Sequence, residues 1–148
     1  MISIRIARMP VIAAMLLACV ALMASHAARA EPVKVVYHMQ EGIDQASRGL
    51  ANIRNHLRAE PDTRIVVVAL ADGIQFLLRG ATQRNGRPFD AQVSALSRQG
   101  VEFRVCNYTL TAHNVPPERL LPEARLVPSG VAEIARLQAR EGFVYIRP

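Results

Sequence analysis

From residue 33 onward the spacing of apolar positions switches repeatedly between two periods. Val33-Lys34-Val35-Val36-Tyr37 is β-branched and apolar, the composition of a strand. Ile43, Ala46, Leu50, Ile53 and Leu57 then recur at helical spacing, one apolar stripe on a helix that stops near Pro61. Arg64 to Leu70 is a nearly continuous apolar run, as in a strand covered on both faces. Asp72-Gly73 turns the chain into a short apolar helix over Ile74 to Leu78, and residues 83–88 read as a polar loop around Gly86. Asp90 is expected to cap the next helix, with Val93 and Leu96 facing inward and Gly100 at its end. Val101 to Val105 alternates and delivers Cys106 at a strand's C-terminal end. Residues 107–122 form a looser segment with one short helix before Pro116-Pro117, and Ala124 to Val127 forms a short fourth strand. Ser129 caps a helix carrying Val131, Ile134, Ala135 and Leu137, Gly142 closes it, and Phe143 to Ile146 is a terminal strand.

Strands separated by helices predict an α/β fold: a three-layer sandwich with a largely parallel sheet of about five strands. The pattern carries no information on strand order. Ile74, Phe76, Leu77 and Leu78 are apolar nearly all round their helix, which suits burial on two sides. Part of that surface is therefore expected to meet a second subunit.

The first thirty residues have a different character. Arg5 and Arg8 precede an almost unbroken apolar run from Met9 to Ala24, and Ala28-Arg29-Ala30 supplies the small-x-small pattern of a signal-peptidase site. The run is short for a bilayer span of roughly 20 residues. Leu16-Leu17-Ala18-Cys19 loosely resembles a lipobox, but apolar residues continue past Cys19, which places that cysteine inside the hydrophobic region. A cleavable signal peptide over 1–30 and a periplasmic domain over 31–148 are expected, with no stable membrane insertion after processing.

Removing the leader changes the charge. Three of the eighteen basic residues leave with it and none of the twelve acidic ones, so the formal net charge falls from +6 to +3. The remaining arginines are scattered among acids, without the basic stripe that nucleic-acid binding requires. One domain of 118 residues remains, long enough for a single hydrophobic core.

Cys106 is then the only cysteine, so no internal disulfide can form. Four turns should meet beyond the carboxyl ends of the strands, where open parallel sheets bind ligands: 38–42, 71–73, 106–109 and 128–130. Cys106, His38, Asn107 and Asp72 thereby become candidates for one crevice. Backbone N–H groups at a strand-to-helix turn favour thiolate. Yet free cysteine is also among the most buried residue types, and reactive and structural roles both stand. His38 could exchange a proton with the thiol or simply bond a loop. His56 lies off the apolar stripe of its helix and is expected at the surface. His38, His56 and His113 with one cysteine and no C-x-x-C give no zinc spacing. There is no G-x-S-x-G elbow, and the first βα turn holds one glycine, Gly42, so neither a dinucleotide fingerprint nor a P-loop is present. A Cys106–His38 hydrolase pair would lack an oxyanion hole at the level of sequence. No cofactor and no metal are expected.

The stretch Gly100-Val101-Glu102-Phe103-Arg104-Val105-Cys106-Asn107-Tyr108-Thr109-Leu110 resembles the DsrE family of sulfur-relay proteins, including its TusD and YchN types. The segment from Val127 to Gln138, with Glu141 to Ile146, looks like an exported subgroup of it. The resemblance spans the mature region. It implies a parallel-sheet α/β fold, trimers or hexamers, and a cysteine carrying sulfane sulfur as a persulfide, a role that transfers to Cys106 alone. His38 and Asn107 are weaker companions. The signal peptide departs from the cytosolic members and separates this chain from their partners. Two functions therefore remain: a sulfur carrier or transferase using Cys106, with a sulfur donor or acceptor protein as partner, or a non-catalytic oligomeric small-ligand-binding protein with a structural cysteine.

The leader carries its own test. Protein recovered from a periplasmic extract should begin at Glu31 on N-terminal sequencing, whereas intact Met1 in washed membranes would rule the leader out.

Overall fold

The computed structural model describes residues 31–148, and the leader expected over residues 1–30 lies outside them. Five strands form one parallel sheet: β1 (Lys34–Met39), β2 (Arg64–Ala69), β3 (Glu102–Cys106), β4 (Ala124–Val127) and β5 (Val144–Ile146). Their order across the sheet is β4-β3-β2-β1-β5. Four α-helices connect them: α1 (Ile43–Ala59), α2 (Asp90–Ser97), α3 (Asn107–Ala112) and α4 (Gly130–Glu141). Two 3-10 helices, Ala71–Leu77 and Pro117–Arg119, complete the set.

The two faces of the sheet are covered unequally. Alternate strand residues Val35, Tyr37, Met39, Ile65, Val67, Ala69, Phe103 and Val105 meet Ala46, Leu50, Ile53 and Leu57 of α1, the first 3-10 helix, and Val93 and Leu96 of α2 in the main core. Phe76 sits edge-on to both Phe89 and Phe103 there. On the opposite face a smaller core holds Val36, Val66 and Val68 under Ile134, Leu137 and Phe143. Side chains alternate along a strand, so the continuous run in β2 feeds both cores, as its apolar composition predicted.

Where the smaller core ends, charge takes over. Arg64 reaches Glu102 (3.2 Å) and Glu141 (3.6 Å); Arg104 bonds Glu102 (2.6 Å) and Glu133; Arg136 bonds Glu133 (2.9 Å) and Glu141. Three arginines and three glutamates thus alternate around a closed ring that ties α4 to β2 and β3. The Arg64 guanidinium also lies 5.3 Å from the ring centroid of Phe143. Arg104 and Glu133 are well covered, with 13% and 11% of their side chains exposed, so water screens this pair less than the others.

Several expectations are corrected. Phe89 occupies the cap position of α2; Asp90 is already helical, its Oδ1 accepting from the N–H of Ala91 (2.6 Å). The apolar turn after β2 is a 3-10 helix whose Ile74, Phe76 and Leu77 are buried in the chain's own core, with Leu78 partly buried against it. The looser segment holds two elements: α3 begins directly at Asn107, and the second 3-10 helix follows Pro116. His56 is half-buried rather than free at the surface, because its Nδ1 bonds the Tyr37 hydroxyl (3.0 Å). Ser129 does cap α4, accepting from the N–H of Ala132 (3.3 Å), and Gly142 closes it in the left-handed region at φ 72°.

The ring makes a pH-dependent contribution to stability. Arg136 and Arg104 hold the Glu133 carboxyl below its usual range; burial pushes Glu102 up, but Arg104 and Arg64 outweigh it. Carboxylates whose folded pKa is depressed contribute fully above their unfolded value of about 4.3, and that contribution is lost as pH falls through the folded values. Glu133→Gln should lower the urea-unfolding free energy by about 1–3 kcal/mol at pH 7, with a smaller deficit at pH 3.

Candidate functional site

A parallel crossover prefers a right-handed path, so the direction of stepping across the sheet fixes the face that each helix covers. The chain steps one way from β1 through β4, with α1 and α2 on the main-core face. It then reverses, and α4 crosses the opposite face on its way to β5. The connections leaving β3 and β4 therefore part company, the arrangement in which open parallel sheets place a ligand crevice between the carboxyl ends of two such strands. Cys106 ends β3 there, in register with Val127 of β4.

The register also places Cys106 on the α4 face, in the same alternating row as Glu102 and Arg104. Its sulfur is accordingly met from two directions. Burial pushes the thiol up, but the nearby backbone N–H of Gly130 at the start of α4, the Thr109 hydroxyl, and the backbone N–H groups of Thr109 and Tyr108 at the start of α3 favour the thiolate and outweigh that effect. The net result is a thiol held below its ordinary value. All of these donors are neutral groups. The thiolate is favoured by aimed dipoles, which salt screens far less than it screens surface charges.

Thr109 owes its role to a second contact. The N–H of Ala71 donates to Thr109 Oγ1 (3.1 Å), which leaves the hydroxyl proton free to point at the sulfur. Ala71 takes up a left-handed conformation, φ 48°, to deliver that bond, at a cost of about 1–2 kcal/mol for a residue with a side chain. Gly130 favours close approach. A Cβ there would fall 2.9 Å from Leu70 Cδ2 and 3.1 Å from Cys106 Cβ. Only 6% of Cys106 is exposed, yet the rim is apolar and open: Tyr108 is 70% exposed and Val131 66%.

The other predicted residues do not join Cys106. His38 lies two strands away, about 10 Å at ordinary sheet spacing. Its Nδ1 meets the Tyr145 hydroxyl at 2.7 Å, and with the Gln40 carboxamide turned to donate, its Nε2 is occupied too (3.3 Å). Burial, with Arg147 nearby, lowers its pKa against the pull of Glu41. His38 is a neutral strut between β1 and β5. Asn107 is exposed and lines a separate open cleft with Leu110, Thr111 and Asn114. Asp72 is exposed and accepts a long bond from Gln75 (3.4 Å). Among the described residues no cluster of three His, Cys, Asp or Glu side chains could hold a metal ion.

Thr109, Gly130 and Ala71 lie in turns that the sequence placed at the crevice, but the sequence singled out none of them as a partner of the thiol. Thr109 had a signal, since a residue three positions into a helix turns back toward the residue preceding it. Ala71 had none.

The DsrE/DsrF-like family matches residues 13–148. Among solved structures, a protein of unknown function from Methanobacterium thermoautotrophicum, MTH1491, is 34% identical with a TM-score of 0.70, covering 78% of this chain and 99% of its own. The ychN protein from E. coli shares the fold at 13% identity with a TM-score of 0.63, over 80% of this chain and 99% of its own. No curated protein matches at a significant level.

The donor set makes a measurable claim. The thiolate absorbance of the folded protein should titrate below the ordinary thiol value of about 8.5. Thr109→Val should raise that midpoint by roughly one unit, and Thr109→Ser should restore it. Gly130→Ala should raise it as well, by moving the α4 amide off the sulfur.

Proposed function

Because the chain belongs to the DsrE/DsrF-like family, we propose that it is a sulfur carrier that holds sulfane sulfur on Cys106 as a persulfide. The observation that carries this reading is the placement of Cys106 at the end of β3 with Gly130 of α4 close against it, where nearby N–H and hydroxyl groups hold the thiol below its ordinary value despite burial. A cysteine that merely filled the end of a buried strand would need no anion stabilisation, and burial alone would raise its pKa. Here the effect is reversed.

The transfer is a displacement. The Cys106 thiolate attacks the outer sulfur of a hydropersulfide donor, forming a new S–S bond. The donor's own S–S bond breaks, and its inner sulfur leaves with the electron pair as a thiolate. One thiolate and one neutral hydropersulfide stand on each side, so charge, protons and redox state balance; the new hydropersulfide on Cys106 then releases its proton to solvent and becomes the persulfide anion. The Gly130, Tyr108 and Thr109 donors that hold the thiolate then hold the persulfide anion, which keeps its charge near the same place. An acceptor thiol removes the sulfur by the same step in reverse order. The exposed Tyr108 and Val131 suit contact with a donor or acceptor protein. Export to the periplasm and assembly into a trimer or hexamer complete the proposal. The first rests on the leader-like N-terminus, the second on the family resemblance.

Intact-mass measurement after incubation with polysulfide should show a gain of one sulfur atom that reductant reverses and Cys106→Ser abolishes. A Cys106 that stays unmodified and also resists iodoacetamide in the folded protein would make the thiol structural, and the small-ligand-binding function would replace sulfur carriage.

A further inference from the structure

A second cleft, away from Cys106, lies between α1, the 83–88 loop and α2. It encloses about 370 Å³ and is lined by Arg54, Gln83, Arg87, Pro88, Ala91 and Gln92. Two guanidinium groups and two carboxamides face one space with no carboxylate in its wall. Arg54 is fixed by a bond from its Nη1 to Gln92 Oε1 (2.8 Å), which leaves the rest of its fork and the Gln92 amide N–H groups to be directed elsewhere. The Arg87 side chain makes no ion pair or hydrogen bond among the described residues.

The neighbouring acids are already committed. Asp44 takes both prongs of Arg84 at 2.6 Å, an ion pair that anchors the loop to α1. Asp90 turns its Oδ1 to the N–H of Ala91 and does not line the cleft. The loop itself is a closed turn, with Gln83 N–H to Arg87 O and Gly86 N–H to Gln83 O, both 2.9 Å, and a bridge between Thr82 and Pro88. Arg87 is therefore presented from a braced backbone toward a second braced cation.

We propose that this cleft binds a small phosphate monoester. Each guanidinium fork pairs with two oxygens, so two forks need a tetrahedral dianion rather than a carboxylate. The space exceeds what the headgroup alone fills, and Gln83 with the free Gln92 amide offers hydrogen bonds to hydroxyls of an attached polyol, while Pro88 and Ala91 supply an apolar wall. The site is independent of the sulfur chemistry at Cys106.

The test titrates the full, isotope-labelled chain by NMR with inorganic phosphate and, separately, glycerol 3-phosphate, at constant ionic strength. Saturable shifts should concentrate at Gln83, Arg87, Ala91 and Gln92, including the glutamine side-chain amides, with glycerol 3-phosphate binding more tightly. Arg87→Ala should weaken binding at least tenfold and leave the rest of the spectrum unchanged, since this exposed side chain bonds nothing among the described residues. Cys106→Ser should bind like the parent. Shifts that stay linear and spread over the surface would overturn the site, as would an Arg87→Ala protein that titrates like the parent. Inorganic phosphate binding as tightly as the ester would overturn the organic ligand.

Discussion

Parallel strands can be joined only by crossovers, and crossovers have a preferred hand, so the direction of travel across the sheet governs everything that covers it. Three successive steps toward β4 place most of the helical mass on one face, and the single return step leaves α4 alone on the other. The main core is accordingly deep and apolar. The opposite face has one helix with little width, and it closes only because the apolar trio Val36, Val66 and Val68 is flanked by the Arg–Glu ring. The same reversal sends the connections of β3 and β4 apart where Cys106 ends β3.

Helix α4 joins these two consequences. Glu133, Arg136 and Glu141 fasten it to the sheet, and Gly130, one turn before Glu133, presents its N–H to the sulfur. The ring carries equal numbers of positive and negative groups, so it positions the helix without adding net charge beside the thiol. The sulfur is left to be tuned by short-range donors, which depend on placement within tenths of an ångström. Glycine at position 130 and the left-handed turn at Ala71 are the local costs of that placement. A close approach on the other face has the same character. A Cβ on Gly73 would fall 2.1 Å from the Met39 carbonyl oxygen, so the first 3-10 helix can lie against the end of β1 only because that residue is glycine.

His38 shows why residue type alone misleads. A histidine and a cysteine at neighbouring strand ends invite pairing as base and nucleophile. The sheet separates them by the width of β2, and the histidine instead spans to Tyr145 on β5, an edge strand of three residues that pairs with β1 and gains a side-chain tie from this bond. Tyr37 and His56 repeat the device on the other face, where a polar pair bridges β1 to α1.

The sequence by itself determined the element order, because apolar periods of two and 3.6 are local properties of the chain. It also determined the helix boundaries marked by Ser129 and Gly142, and the position of Cys106 at the end of a strand. Residues 64–70 announced a strand buried on both faces, and the structure places β2 at the centre of the sheet. Strand order, the faces taken by the helices, and the partners of each polar side chain were decided only in three dimensions. Thr109 and Gly130 stand 21 residues apart in the chain and meet at one sulfur atom because the path reverses between them. Ile74 and Phe76 read as suited to burial on two sides, part of it against a second subunit, and the main core takes both. Local pattern records which residues avoid water; only the packed chain records which of them avoid it together.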